Sequence, residues 1–226
     1  MHLWILVVLL LSVQSEALVG GGPLKDHRDI VRLIFTNGWI CTGVFLDEYT
    51  ILTAAHCLNA APLAQVLSEE DSVVEVKAIA TFAHPDFAKN AASDIGIIKT
   101  ERNRTFQGNF SIHEQPLSLS REVTLFGCGK AGIDGQVVRT TGSNRFIRFG
   151  SMLYFLGLTN GDTASIAPND SGGPIVDPGT KRIIGIASKT TLKTSEKYGL
   201  PILSTGVSIV APASMKFIRS HLGNNP

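Results

Sequence analysis

The sequence predicts an all-β protein, a sandwich or barrel built in two units and closed by a helix at its C-terminal end. Three observations carry this. From Ile30 onward, short apolar stretches alternate with Gly, Asn, Asp and Pro clusters about every ten residues, the rhythm of many short strands. A polar stretch from Glu101 to Glu114, with Arg102, Arg104, Gln107, Gly108 and Asn109, lacks strand periodicity and reads as a linker between two β units. Helical spacing appears only near the end, where Met215, Ile218 and Leu222 follow Pro212 and precede Gly223.

In chain order, strands are expected at Ile30 to Thr36, Trp39 to Phe45, Tyr49 to Leu52, Val73 to Phe82, Ile95 to Lys99, Val123 to Phe126, Arg145 to Phe149, Arg182 to Ala187 and Leu203 to Val210. The fourth shows the period best. Val74, Val76, Ala78, Ala80 and Phe82 fall on one face, with Glu75, Lys77 and Thr81 on the other.

Residues 1–17 read differently from the rest. Leu3 to Leu11 is an unbroken apolar run, too short to span a bilayer, and Ser15-Glu16-Ala17 is a small-residue cleavage site, so a secretory signal ending at Ala17 is expected. His2 stands where a signal usually carries Lys or Arg. The mature chain would begin Leu18-Val19-Gly20-Gly21, with no membrane anchor, in an extracellular or periplasmic location.

Of the 226 residues, 44% are hydrophobic and 17% charged, which suits a packed core and not a disordered chain. Twenty Lys and Arg against 19 Asp and Glu leave a formal charge of +1, too little for the phosphate neutralisation that nucleic-acid binding needs. An exported chain can form disulfides, and the three cysteines, Cys41, Cys57 and Cys128, leave one over. A Cys41–Cys57 bridge would close a short loop, worth about 3 kcal/mol in the chain-entropy model. The competing reading is zinc held by Cys41, His56, Cys57 and a distant ligand, although no CxxC or HxxxH spacing is present. No metal or cofactor is expected.

Three motifs carry the chemistry. Thr53-Ala54-Ala55-His56-Cys57 follows an expected strand, Ser93-Asp94-Ile95-Gly96-Ile97-Ile98 opens another, and Asn169-Asp170-Ser171-Gly172-Gly173-Pro174 is a glycine-rich turn. The order His, Asp, Ser is that of the chymotrypsin type. The sequence resembles the trypsin/chymotrypsin-like serine proteases, whose motifs are T-A-A-H-C, D-I-A-L and G-D-S-G-G-P. The likeness runs from the L-V-G-G start to the terminal helix. It implies two six-stranded antiparallel β-barrels with a C-terminal helix: residues 18–110 carrying His56 and Asp94, and residues 111–226 carrying Ser171.

A serine hydroxyl is a poor nucleophile at neutral pH and needs a base within reach, which the imidazole of His56 would supply. Asp94 would hold the productive tautomer and stabilise the imidazolium. The N–H groups of Asn169 and Ser171 would face the developing oxyanion, worth roughly 3 kcal/mol per donor. Asn169 stands where the family usually has Gly, and Asn is among the few other residues that tolerate positive φ.

The remaining roles follow from the resemblance. Ser188, in Gly185-Ile186-Ala187-Ser188-Lys189-Thr190, would sit behind Asp94 and donate to it. Ser165, six residues before Ser171, replaces the Asp of trypsins, while Thr190 and Gly206 would wall the specificity pocket. The resemblance implies a monomer acting on a protein or peptide substrate, and an uncharged pocket narrowed by Thr190 implies cleavage after small or medium apolar residues. The ammonium of Leu18 would pair with Asp170 once signal peptidase cuts. Asn103, Asn109 and Asn169 open formal glycosylation sequons, and a glycan on Asn169 would obstruct the site. A pseudoprotease that binds a partner through the same fold is the alternative reading.

Overall fold

The computed structural model describes residues 18–24, 27–59, 62–67, 73–131, 137–157 and 163–223; the expected signal at 1–17 lies outside the described residues. The elements are β1 (Gly22–Pro23), β2 (Ile30–Phe35), β3 (Ile40–Asp47), β4 (Thr50–Thr53), β5 (Pro62–Leu67), β6 (Val73–Ala83), β7 (Gly96–Thr100), β8 (Ser111–Ile112), β9 (Ser120–Ala131), β10 (Val137–Phe149), β11 (Met152–Gly157), β12 (Pro174–Asp177), β13 (Arg182–Thr190), α1 (Leu192–Tyr198), β14 (Ile202–Ser208) and α2 (Pro212–Arg219). No helix among the described residues is long and apolar enough to cross a membrane.

Strands β2-β3-β4-β7-β6-β5 close one antiparallel barrel, and β9-β10-β11-β14-β13-β12 close a second, β12 pairing back to β9. Closure removes every free edge from these six-stranded sheets. In β6 the expected alternation holds through Val74, Val76 and Ala78, which are more buried than their neighbours. It continues at Ala80 and ends at Phe82, which is exposed, its ring tilted against that of His221 at 4.6 Å between centroids. Leu33, Phe45, Ile51 and Ile97 fill the first barrel, and Leu125, Phe146, Phe155 and Ile175 the second.

The two ends of the chain cross over. Gly22 and Pro23 pair with Thr141 and Thr140 of β10, so the N-terminal segment belongs to the second sheet. Helix α2 and the residues after it lie against the first barrel, where Lys99 Nζ donates to His221 O at 2.8 Å and the Phe217 ring meets His84. The connecting stretch is tied down as well: the buried carboxylate of Asp29 accepts from the amides of Gln107 at 2.8 Å and Asn109 at 2.7 Å. Each barrel is thus clasped by the other's terminus.

Several elements escape the sequence reading. β5 opens on Pro62, β12 is four buried residues without alternation, and α1 is a seven-residue helix ended by Gly199 in the left-handed region. Runs this short carry too few periods to signal themselves.

Candidate active site

Backbone geometry sets the site in three places. A 3-10 turn, Ala55–Cys57, follows β4 and presents His56 at the barrel rim. A second, Ala91–Ser93, is capped by the Asn90 side chain, which accepts from Ala92 N at 3.0 Å and delivers Asp94 just before β7. The turn at 169–173 leads into β12. Cys41 and Cys57 are joined in a disulfide, which pins the His56 turn to β3 and takes both sulfurs away from the zinc reading. Cys128 is the free cysteine, fully buried, and burial pushes its thiol up to about 12, so it stays protonated and inert at physiological pH.

Asp94 is the polar centre. Its Oδ2 receives His56 Nδ1 at 2.7 Å and the Ser188 hydroxyl at 2.6 Å, while Oδ1 receives the His56 amide at 2.9 Å. Burial alone would raise this carboxyl. The hydrogen bond and charge of His56, then the donors from Ser188 and the His56 backbone, outweigh it and hold Asp94 below its ordinary value of 3.8. The His56 side chain is 27% exposed against 2% for Asp94, so the imidazole faces the cleft while its partner is sealed behind it.

Ser171 comes from the second barrel. Its hydroxyl donates to Ser188 O at 3.1 Å, and its carbonyl accepts from Thr42 N at 2.8 Å and lies 3.8 Å from Cys57 Sγ, next to His56. Gly172, at φ +86°, fits because a Cβ there would lie 2.1 Å from Thr53 Oγ1 and 2.3 Å from Thr42 O. Asn169 does adopt the left-handed backbone, with φ +77°, and its side chain is exposed. Asn103, by contrast, is buried, and its Oδ1 receives both the amide and the hydroxyl of Thr105.

Ser165 is buried and bridges Val19 through two backbone hydrogen bonds, 3.1 and 2.9 Å, with its Oγ in the space a side chain at Gly157 would need. Thr190 Oγ1 accepts from Leu192 N at 3.2 Å, which turns it toward α1. Gly206 is not a wall beside Thr190. It pairs with Ala187, three residues before Thr190 on β13, and a Cβ on it would strike Ile175 in the barrel interior at 2.3 Å. Ser204 is the residue opposite Thr190, and its Oγ accepts from Ile166 N at 3.2 Å. Ala167, Leu192 and Ile202 pack together here, with Val19 against them.

Leu18 is fully buried in the second core, and its nitrogen donates to Thr140 Oγ1 at 3.1 Å. Asp170, also buried, accepts from Ala167 N at 2.9 Å and lies against Gly127, the cross-strand partner of Thr140. The two residues therefore lie against directly paired residues of β9 and β10, Leu18 at Thr140 and Asp170 at Gly127.

Sequence reasoning missed Thr42, Ser204 and Thr140. Each is a Ser or Thr in a strand, and no spacing marks one such residue from another.

Two antiparallel six-stranded barrels, with a His–Asp pair on one and a serine turn of the other pressed beside it, define the double-barrel serine protease class. The Trypsin family model matches residues 18–213, and the chain belongs to that family. Duodenase-1 of Bos taurus is 29% identical over 218 residues, 83% of this chain and 86% of that protein. Snake venom serine protease 3 of Protobothrops jerdonii is 26% identical over 219 residues, 81% of each. Mast cell protease 3 of Ovis aries is 30% identical over 145 residues, and there the match spans 58% of each chain. A solved structure of a Glu endopeptidase in complex with MPD superposes with a TM-score of 0.71 at 17% identity, covering 91% of this chain and 97% of that one. That likeness is one of fold.

Proposed function

We propose that this chain is an exported serine endopeptidase that cuts peptide bonds in proteins through His56, Asp94 and Ser171. The observation that carries this reading is the sealed carboxylate of Asp94, which takes three donors and orients His56 Nδ1. A carboxylate so held keeps the proton on Nδ1 and leaves Nε2 as the basic nitrogen facing the cleft. The Ser171 hydroxyl turns from Ser188 O to His56, and its oxygen attacks the scissile carbonyl carbon while its proton passes to Nε2. The oxyanion is met by the N–H groups of Asn169 and Ser171. His56 then gives that proton to the leaving amine as the C–N bond breaks. Water repeats the sequence on the acyl-enzyme and restores Ser171. Export is supported by the apolar run and small-residue site before Leu18, and by a disulfide that needs an oxidising compartment.

The test is labelling with a fluorophosphonate probe. Wild type is expected to react and Ser171→Ala to show no label; a folded wild type without Ser171-dependent label would instead favour a binding module on the same fold.

Specificity follows from Ser165, Thr190 and Ser204, none of which carries charge. Peptides with Ala, Val or Leu before the scissile bond are expected to be cut faster than those with Lys, Arg, Asp or Glu, because none of these three side chains neutralises a buried charge. Profiling with a peptide library measures this, and a preference for Arg would overturn the pocket assignment.

A further inference from the structure

Thr42, on β3, is fully buried and stands where the first barrel meets the serine turn of the second. Its hydroxyl contacts Asn169 O at 3.2 Å and Cys128 N at 2.9 Å. An amide N–H can only donate, so Oγ1 accepts from Cys128 and spends its single proton on the Asn169 carbonyl. The backbone of the same residue holds the seam from both sides: Thr42 N donates to Ser171 O at 2.8 Å, and Thr53 Oγ1 donates to Thr42 O at 2.8 Å.

The atom held by this hydroxyl belongs to a residue that resists its own conformation. Asn169 has φ +77°, which L-residues other than Gly seldom adopt. Its carbonyl fixes the peptide plane that follows it. The other end of that plane, Asp170 N, donates to Ala167 O at 3.2 Å, and Ala167 N donates to Asp170 Oδ2 at 2.9 Å, so the residues before and after Asn169 are tied to each other. With both flanks held, the direction of the Asn169 N–H is set as well. A glycine at this position would reach the same φ without help.

We propose that the Thr42 hydroxyl is a positioning residue. It draws the Asn169 carbonyl into the seam between the barrels, and so aims the Asn169 N–H at the oxyanion. The threonine and the asparagine form one device across the seam, the first offsetting the backbone cost of the second. This rests on the reading that the Asn169 and Ser171 amides stabilise the oxyanion.

The experiment compares wild type, Thr42→Val, Thr42→Ser and Ser171→Ala, each first shown by thermal melting to be folded at the assay temperature. Two rates are measured: fluorophosphonate labelling, and hydrolysis of p-nitrophenyl acetate above the Ser171→Ala background. Thr42→Val keeps the shape and removes both the proton given to Asn169 O and the oxygen that accepts from Cys128 N. It is expected to lower kcat and the labelling rate by about tenfold to a hundredfold, with KM within about twofold of wild type, because the group displaced acts on the transition state. Thr42→Ser keeps the hydroxyl and should return both rates to within about threefold. Should Thr42→Val not fold, Thr42→Ala takes its place under the same criteria. Wild-type rates in the hydroxyl-free variant, or equal losses in the Val and Ser variants, would overturn the assignment and leave the triad standing. Absence of Ser171-dependent label in wild type would overturn both.

Discussion

Asp94→Asn is expected to lower kcat about 10⁴-fold while leaving the protein folded. The carboxylate accepts at both oxygens, from His56 N at Oδ1 and from His56 Nδ1 and Ser188 Oγ at Oδ2. An asparagine can accept on one side only. With its NH₂ at the Oδ1 position, two donors face each other at the His56 amide. With its NH₂ at the Oδ2 position, the imidazole must move its proton to Nε2 to accept, and a protonated Nε2 cannot take the proton of Ser171. The Ser188 hydroxyl can rotate to accept from the NH₂, so the second arrangement is the stable one and the wrong tautomer is locked in. Steady-state kinetics, with circular dichroism to show the fold, measure the effect; a loss under about tenfold would show that Asp94 does not set the tautomer. The pH dependence has a definite sign. Because the fold holds Asp94 below 3.8, its ionised form contributes stability that is fully present above that value and is lost as pH falls through the lower folded value.

A chain extended by a single residue before Leu18 is expected to lose activity by about a hundredfold or more, although its proposed triad is untouched. Leu18 is fully buried, Val19 forms a two-bond bridge with Ser165, and a Cβ on Gly21 would lie 3.3 Å from Thr141 O, so the segment is seated closely on the second barrel. As an amide, the Leu18 nitrogen donates to Thr140 Oγ1. As a free ammonium it would bring a charge to the buried strand pair that Asp170 flanks, and Asp170 adjoins both Asn169 and Ser171 in the chain. Breaking such a buried pair typically costs 3–5 kcal/mol, enough to loosen the turn that shapes the oxyanion site. In this reading signal peptidase creates the active terminus directly, since no Lys or Arg stands between the apolar run and Leu18. Mass spectrometry gives the N-terminus of the exported protein. Full activity of the extended form would overturn the mechanism.

The amino-acid sequence by itself determined the β character, the terminal helix and which side chains are candidates for the chemistry. These are written in contiguous runs: alternation in a strand, a proline at a helix start, or a five- or six-residue motif whose backbone is set locally. His56, Asp94 and Ser188 could be named before any coordinates because each lies in such a run, and the structure brings all three into one hydrogen-bonded group. What only the tertiary structure decided are the relations between distant strands. Whether Leu203 or Ser204 stands opposite Thr190 depends on a register shift after Ala187, and a shift of pairing moves a side chain between core and cleft without changing composition or period. That Leu18 enters the second barrel, that α2 lies on the first, and that the hydroxyl of Thr42 meets a carbonyl 127 residues away depend on how two closed barrels press together. Such contacts are fixed by packing across the whole chain, and a lone threonine in a strand carries no local mark of them.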